Sequence, residues 1–476
     1  MLACGGRAMD FGFTQEQEQL RAQVRRFLDA ELPLDRILEW SAKPQPLDRA
    51  LWKRLAELGW PGITIPEAHG GLGLGCEDLI VVFEEMGKSL APLPLLAVDA
   101  AATAIRLLGD DAQRAAYLPG IAAGETIATI AVLEESDVLA PDAITTRARP
   151  AESAGAAATT RGGGGPGSTS GGGATGGDVV LDGAKLFVPD AQHADLILVA
   201  TREEGGVSLF AAPATAPGVR VTPLVVVDPT KPAAEVHLDG VRLPASARLG
   251  AAGGAWPAIA RVLDRMTIGL AAEMVGAADA ALAMAVEYAK VRRQFGSPIG
   301  RFQGVKHRCA ELLVDVESAR SLVYYGAWAV EQSPAEAASY AAMAKAAASE
   351  ALDAAGEECI QIHGAIGYTW ECHAHLFYKR GRHCHVWMGA PDEHYERVLA
   401  LQESPRYPKR NTSAPRCAPS SVITCRKARA ATAISKAASR ACRRSTSGTR
   451  ICSRKVGSAS TGRRTSAAAA ARSSSR

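Results

Sequence analysis

The sequence predicts a multidomain α+β fold: an N-terminal all-α domain (9–125), a middle antiparallel β-barrel or sandwich (126–250), a C-terminal four-helix bundle (256–403) and a disordered basic tail (404–476). Three observations lead there. Apolar residues recur at helical spacing up to Gly124, short apolar or alternating runs broken by Gly, Pro and Asp take over from Thr126, and long Ala-rich amphipathic patterns resume at Trp256.

Met9 is an expected natural start, and a helix-forming segment follows it. Thr14 followed by Gln17 is a capping-box pattern, and Leu20, Val24, Phe27 and Leu28 continue it at helical spacing. Trp52–Leu58 repeats the pattern until Gly59 stops it. The segment IPEAHGGLGLG that follows is a loop, because no strand precedes it and no Gly-Lys-Ser/Thr ends it as a phosphate loop requires. Cys76–Ser89, Leu95–Leu108 and Asp111–Ala123 complete the helical unit. IATIAVLEE, DVVLDGAKLFVPD, ADLILVATRE, VSLFAAPA, VRVTPLV and AEVHLDGVRLP read as strands. Ala151–Gly177 interrupts them with a Gly/Ser/Thr-rich run too poor in apolar surface to offset its ordering entropy, and a flexible loop is expected. Ile259, Val262, Leu263, Met266, Leu270 and Met274 open the bundle as one stripe, followed by Phe302–Glu331 and Pro334–His363. Trp328, Tyr324 and Tyr325 are expected to pack there.

A chain of 476 residues with 47% hydrophobic content can bury a large core. The net charge of +3 hides an asymmetry. The tail carries eighteen Lys/Arg and no acid, which leaves 35 basic against 50 acidic side chains before it, a net charge of −15. An acidic folded part argues against a nucleic-acid-binding core. The ten cysteines form no C-x-x-C pair, so neither a zinc site nor a disulfide framework is expected, and a reducing cytoplasm fits. The sequence shows no run of about eighteen apolar residues, and no apolar stretch follows MLACGGRA, so neither a membrane span nor a secretory signal is expected.

Two segments carry chemistry. YAKVRRQFGSPIGRFQ (288–303) places Arg292, Arg293, Phe295 and Gln303 at a corner between helices, and CIQIHGAIGYTWE (359–371) places Gln361, Ile362, His363, Gly364 and Ala365 at another. Arginine offers a planar, always-charged fork for phosphate, and glycine lets backbone approach a ligand closely. Without a ligand, the arginines would be a solvated helix C-terminus complementing the dipole.

The pattern R-x-Q-F-G-x-x-I-x-x-F-Q followed by Q-I-H-G-x-I-G-Y-T resembles the acyl-CoA dehydrogenase family of flavoproteins, over roughly residues 9–403. The resemblance implies FAD as cofactor, an acyl-CoA substrate, a tetramer built through the C-terminal bundle and an electron-transfer flavoprotein as acceptor. It further implies that both motifs reach the FAD of a neighbouring subunit. Arg292 would contact the pyrophosphate with Phe295 beside it, Gln303 the adenosine half, and Gln361, Ile362, His363, Gly364 and Ala365 the adenine side.

Two departures from the family follow. Members that bind the flavin through the middle domain carry a Thr-Glu-Pro-x-x-Gly-Ser-Asp-like stretch, whereas this chain reads LEESDVLAPDAITT, with Ser136 as a lone hydroxyl. The reaction implied, α,β-dehydrogenation of a thioester, also needs a carboxylate to accept the α-proton. Counting forward from Arg380 puts one family position of that Glu at Gly389, and counting back from Arg397 puts it at Ala390; the other position falls on Met266. Asp264 is the nearest acid, but two residues along a helix turn a side chain by about 200°. Asp392 and Glu393 read as an ordinary helix start after Pro391. His373, His375, His383 and His385 are expected at the surface or an interface, since i, i+2 spacing does not place two metal ligands on one helical face. Together the departures resemble the smaller partner of heterotetrameric acyl-CoA dehydrogenases, known from bacterial degradation of steroid side chains. The alternatives are a self-sufficient homotetramer using Asp264, and an anionic-surface or nucleic-acid binder acting through 404–476.

Overall fold

The computed structural model describes residues 13–43, 47–151 and 177–403. The expected basic tail, and all but the ends of the expected Gly-rich loop, lie outside the described residues.

Six helices come first: α1 Gln15–Glu31, α2 Leu34–Ala42, α3 Arg49–Glu57, α4 Cys76–Lys88, α5 Leu95–Leu108 and α6 Asp111–Ala122. The capping box at α1 forms: Thr14 Oγ1 accepts from the Gln17 N–H, and Gln17 Oε1 accepts from the Thr14 N–H. Sequence reading missed α2, a nine-residue helix whose Leu34, Ile37 and Leu38 share one face but span too few turns to stand out between Pro33 and Pro44.

Strands β1 Ala128–Ala131, β2 Arg147–Pro150, β3 Val179–Pro189, β4 Leu196–Glu203, β5 Gly206–Pro213, β6 Val219–Pro223, β7 Ala233–Leu243 and β8 Arg248–Leu249 form one sheet in the order β6-β7-β3-β2-β4-β5-β8, with β1 also on β4. Most neighbours are antiparallel, but β1 and β2 run parallel to β4, so the sheet is mixed. The sheet is covered on both faces. Along β4, Leu196, Leu198 and Ala200 join the large helical core, while Ile197 and Val199 pack with Leu181, Phe210 and Val236 on the other face.

The C-terminal unit has three long helices, α7 Trp256–Val291, α8 Gln303–Gln332 and α9 Pro334–His363, with the shorter α10 Ala374–Val386 and α11 Pro391–Glu403 packed on α9. Helix α7 is long and apolar enough to cross a membrane by length and composition, yet Arg265, Glu273 and Asp279 interrupt its apolar run and most of it is buried within the protein. Its apolar faces are taken up by the chain's own core, against α4, α5, α8 and α9. At the α4–α7 crossing two glycines let the backbones touch: a Cβ on Gly87 would stand 1.9 Å from the Glu273 carbonyl oxygen, and one on Gly276 1.9 Å from that of Glu84. Tyr325 is buried against Tyr340 at 4.0 Å between ring centroids, with Trp328 at 5.2 Å. Tyr324 donates to the buried Glu84, which also binds Arg21 and Arg320 and so ties the two helical units together.

Candidate functional site

The first motif begins where α7 ends. Arg293–Gln294 (β9) and Ser297–Pro298 (β10) pair as a two-residue hairpin, with Phe295 (φ +50°) and Gly296 (φ +74°) both in the left-handed region that such a turn requires. The Ile299 N–H donates to the Arg292 carbonyl at 2.8 Å and closes the loop. Arg292, Arg293 and Arg301 are exposed, and Phe295 is 92% exposed with its ring nearly perpendicular to that of Phe302. Gln303, the first residue of α8, is also exposed.

The second motif begins where α9 ends. Gly364 has φ +66° and ψ −139°, a conformation open to glycine and strained for other residues. Gly367 packs so closely that a Cβ would lie 2.7 Å from the Ile360 carbonyl oxygen. Gln361, Gly364 and Ala365 are exposed; Ile362 and His363 are half-buried. The two motifs, some sixty residues apart in sequence, meet where the Tyr288 ring stacks on His363, 4.2 Å between centroids and 24° between planes. A cavity of about 700 Å³ lies elsewhere, between the end of α1, α2, the start of α3, Leu93 and His193, and no motif residue lines it.

The turn at 387–390, where one family position of the base falls, carries no carboxylate and is held by buried polar side chains. Met388 and Gly389 have φ +62° and +98°. The fully buried Lys345 Nζ donates to Ser349 Oγ (3.0 Å) and the Gly389 carbonyl (3.0 Å), while His394 Nε2 donates to the Met388 carbonyl (2.9 Å). Burial, with Lys345 beside it, pushes His394 down to about 3, so it is a neutral donor rather than a proton acceptor. The other family position, Met266, is buried in the apolar stripe of α7.

Every acid named above has a structural occupation. Asp264 is buried and accepts from Arg397 Nη2 at 2.5 Å; burial raises its pKa, and Arg397 opposes that shift. Asp392 and Glu393 sit exposed in the first turn of α11, where carboxylates complement the dipole. At the junction of sheet and bundle, Lys231 pairs with Glu273, and Arg380 binds both Asp228 and, at 2.6 Å, Thr230 Oγ1. Sequence reading did not find Asp190, which that junction buries and pushes up to about 7, with Glu273 adding to the shift and Lys231 opposing it.

The stretch LEESDVLAPDAITT folds around a carboxylate. Glu134 is buried, receives Lys185 Nζ at 2.6 Å and accepts from the backbone N–H groups of Thr145 (2.7 Å) and Thr146 (3.1 Å). Burial works against ionisation there, yet Lys185 and Thr145 hold Glu134 well below the usual carboxylate range. Ser136 is exposed beside it. The four histidines are half-buried: His373 faces Asp35 (2.9 Å), His385 binds Asp353 (2.5 Å), and burial pushes His383 down to about 4. Among the described residues no group of three or more His, Cys, Asp and Glu side chains converges as a metal site would need.

Two helical units thus flank a sheet, and an exposed cationic hairpin lies beside a glycine junction. The family profiles described as the N-terminal and the C-terminal domains of acyl-CoA dehydrogenase match residues 14–125 and 253–400. The chain is 33% identical to acyl-CoA dehydrogenase FadE12 of Mycobacterium tuberculosis over 332 residues, 67% of this chain and 79% of that protein. It is 30% identical to acyl-CoA dehydrogenase IpdE2 of the same species over 394 residues, 82% of this chain and 99% of that one. Among solved structures, the ChsE4–ChsE5 complex from M. tuberculosis superposes with a TM-score of 0.71 at 26% identity, covering 83% of this chain and 100% of its counterpart. The chain belongs to the acyl-CoA dehydrogenase family: it is an oxidoreductase, and its cofactor is FAD.

Proposed function

We propose that this chain completes the FAD site of a second, base-bearing chain in a hetero-oligomeric acyl-CoA dehydrogenase. One observation carries the reading: the family's two positions for the proton-accepting glutamate hold Gly389 or Ala390 and Met266, and the nearby buried Asp264, Glu273 and Asp228 are each held by a cation. A carboxylate held in an ion pair is a poor acceptor for a carbon-bound proton.

The residues present fit one half of the cofactor and not the other. Arg292 offers an exposed guanidinium to the pyrophosphate, with Phe295 at the hairpin tip beside it. Gln303 and Gln361, both exposed, offer hydrogen bonds to the adenosine, and Gly364 and Ala365 leave backbone open beside Ile362 and His363. The 133–146 stretch does not fit a flavin ring, because its buried glutamate is already saturated by Lys185, Thr145 and Thr146. FAD, when bound, supplies the acceptor for the β-hydride; this chain's part is to bind and orient its nucleotide end. The partner chain would supply the base and the contacts to the ring, and an electron-transfer flavoprotein would take the electrons. The ChsE4–ChsE5 structure is itself a two-chain complex in this family, which supports the arrangement.

Purified alone, the chain should be colourless and inactive on acyl-CoA; co-expressed with the chain encoded beside it, it should yield a complex with a flavin spectrum. A yellow, stoichiometrically flavinated single chain that oxidises an acyl-CoA would sink the proposal. The self-sufficient reading draws on Asp264, whose burial shifts its pKa in the direction a base needs. Asp264→Asn decides between the two: turnover of the assembled enzyme within about threefold of wild type excludes that residue, whereas loss of a general base costs roughly 10²–10⁴-fold.

A further inference from the structure

We propose that Tyr288 is a positioning residue for the cofactor, pinning the arginine hairpin and the glycine junction in one register through its ring stack on His363. The inference rests on the reading that both arms contact FAD.

The geometry is specific on both sides of the stack. Tyr288 lies one helical turn before Arg292, and its own backbone carbonyl receives the Arg292 N–H at 2.8 Å. A ring fixed at 288 therefore fixes the last hydrogen-bonded turn beneath the arginine. Across the stack, His363 ends α9 immediately before Gly364, and its Nδ1 lies 2.7 Å from the Cys359 carbonyl oxygen. A carbonyl only accepts, so Nδ1 carries the hydrogen, and in the neutral ring Nε2 is left as an acceptor. That bond sets the plane of the imidazole against which Tyr288 lies, at 24°.

The hairpin has few other anchors. Arg292, Arg293 and Gln294 are exposed, Phe295 is 92% exposed, and Gly300 packs back on α7, where a Cβ would be 3.0 Å from the Ala289 carbonyl oxygen. These contacts hold the hairpin to its own helix. The Tyr288–His363 stack joins that helix end to the other arm. One dinucleotide must span both arms, so its affinity depends on their spacing being set before it arrives.

The test uses the full chain assembled with its base-bearing partner, stripped of flavin and titrated with FAD while flavin fluorescence is followed. Tyr288→Phe, which keeps the ring, should bind FAD within about twofold of wild type. Tyr288→Leu should raise Kd about tenfold, the scale of one ring pair, with the thermal midpoint and the mass of the assembly unchanged. His363→Leu should match it, and the double variant should be no worse than either single one, because the two residues act as one contact. A Tyr288→Leu assembly with wild-type affinity, or losses that add in the double variant, would overturn the pin. Should Tyr288→Leu fail to assemble, His363→Leu decides by the same criterion. A wild-type assembly that holds no FAD removes the functional reading and the pin together, whereas a flavinated wild type with an indifferent leucine variant removes the pin alone.

Discussion

Asp190 shows how far a single side chain departs from its ordinary chemistry. It caps the end of β3 in a left-handed conformation, buried beside Lys231 and Glu273. Three acids at that junction, Asp190, Asp228 and Glu273, face two cations, Lys231 and Arg380, while His383 is held neutral by burial. One acid therefore keeps its proton, and it is Asp190, whose pKa stands at about 7. The unfolded chain releases that proton near pH 4, so between about pH 4 and 7 the native state holds a proton that the unfolded state has lost. Stability falls as pH rises through that window and levels off above it. Asp190→Asn, which cannot ionise, should match wild type near pH 4 and exceed it above pH 7, by up to about 4 kcal/mol. Denaturant unfolding of both proteins across pH 4–8 checks this; a constant difference would refute it.

At the scale of elements, the α4–α7 crossing rests on Gly87 and Gly276. Glycine inside a helix costs roughly 0.5–1 kcal/mol relative to alanine, and here it is kept because a Cβ would collide with a facing carbonyl at 1.9 Å. Gly87→Ala or Gly276→Ala should force the helices apart and destabilise by about 3 kcal/mol, the upper end of overpacking costs. Gly304, near the start of α8, has open space around its Cβ direction, and Gly304→Ala should be neutral or stabilising by up to about 1 kcal/mol. Paired thermal melts distinguish the cases. The same contrast governs the hairpin at 293–298. A corner between helices was expected at 288–303, yet the left-handed Phe295 and the β9–β10 pairing were not readable, since no local preference puts phenylalanine at positive φ.

For the molecule as a whole, one apolar core runs from Val24 on α1 through Trp52, Phe83 and Leu96, across Leu198 and Leu209 of the sheet, to Val316, Leu352 and Val398. Helical units on either side of the sheet in sequence are thus one packed body. Thermal unfolding followed by far-UV circular dichroism and by tryptophan fluorescence should give coincident midpoints; two separated transitions would show that the units melt independently. The site has the opposite character. The residues of the two motifs lie on open surface, whereas the positions proposed for the family's base are a pinned turn and an apolar stripe.

What the sequence by itself determined were the features written over short stretches of chain: the capping box at Thr14, helices such as Leu95–Leu108 and Pro334–His363, the strand grammar from Thr126, and the family resemblance carried by the segments 288–303 and 359–371. Each is written in residues close together in the chain, where periodicity and turn chemistry act. What only the tertiary structure decided were contacts between distant residues: the parallel pairing of β1 and β2 with β4, the pairing of Asp264 with Arg397 and of Glu134 with Lys185, the proton on Asp190, and the stack of Tyr288 on His363. Burial and approach across the fold set those charges and geometries, and local sequence carries no measure of either.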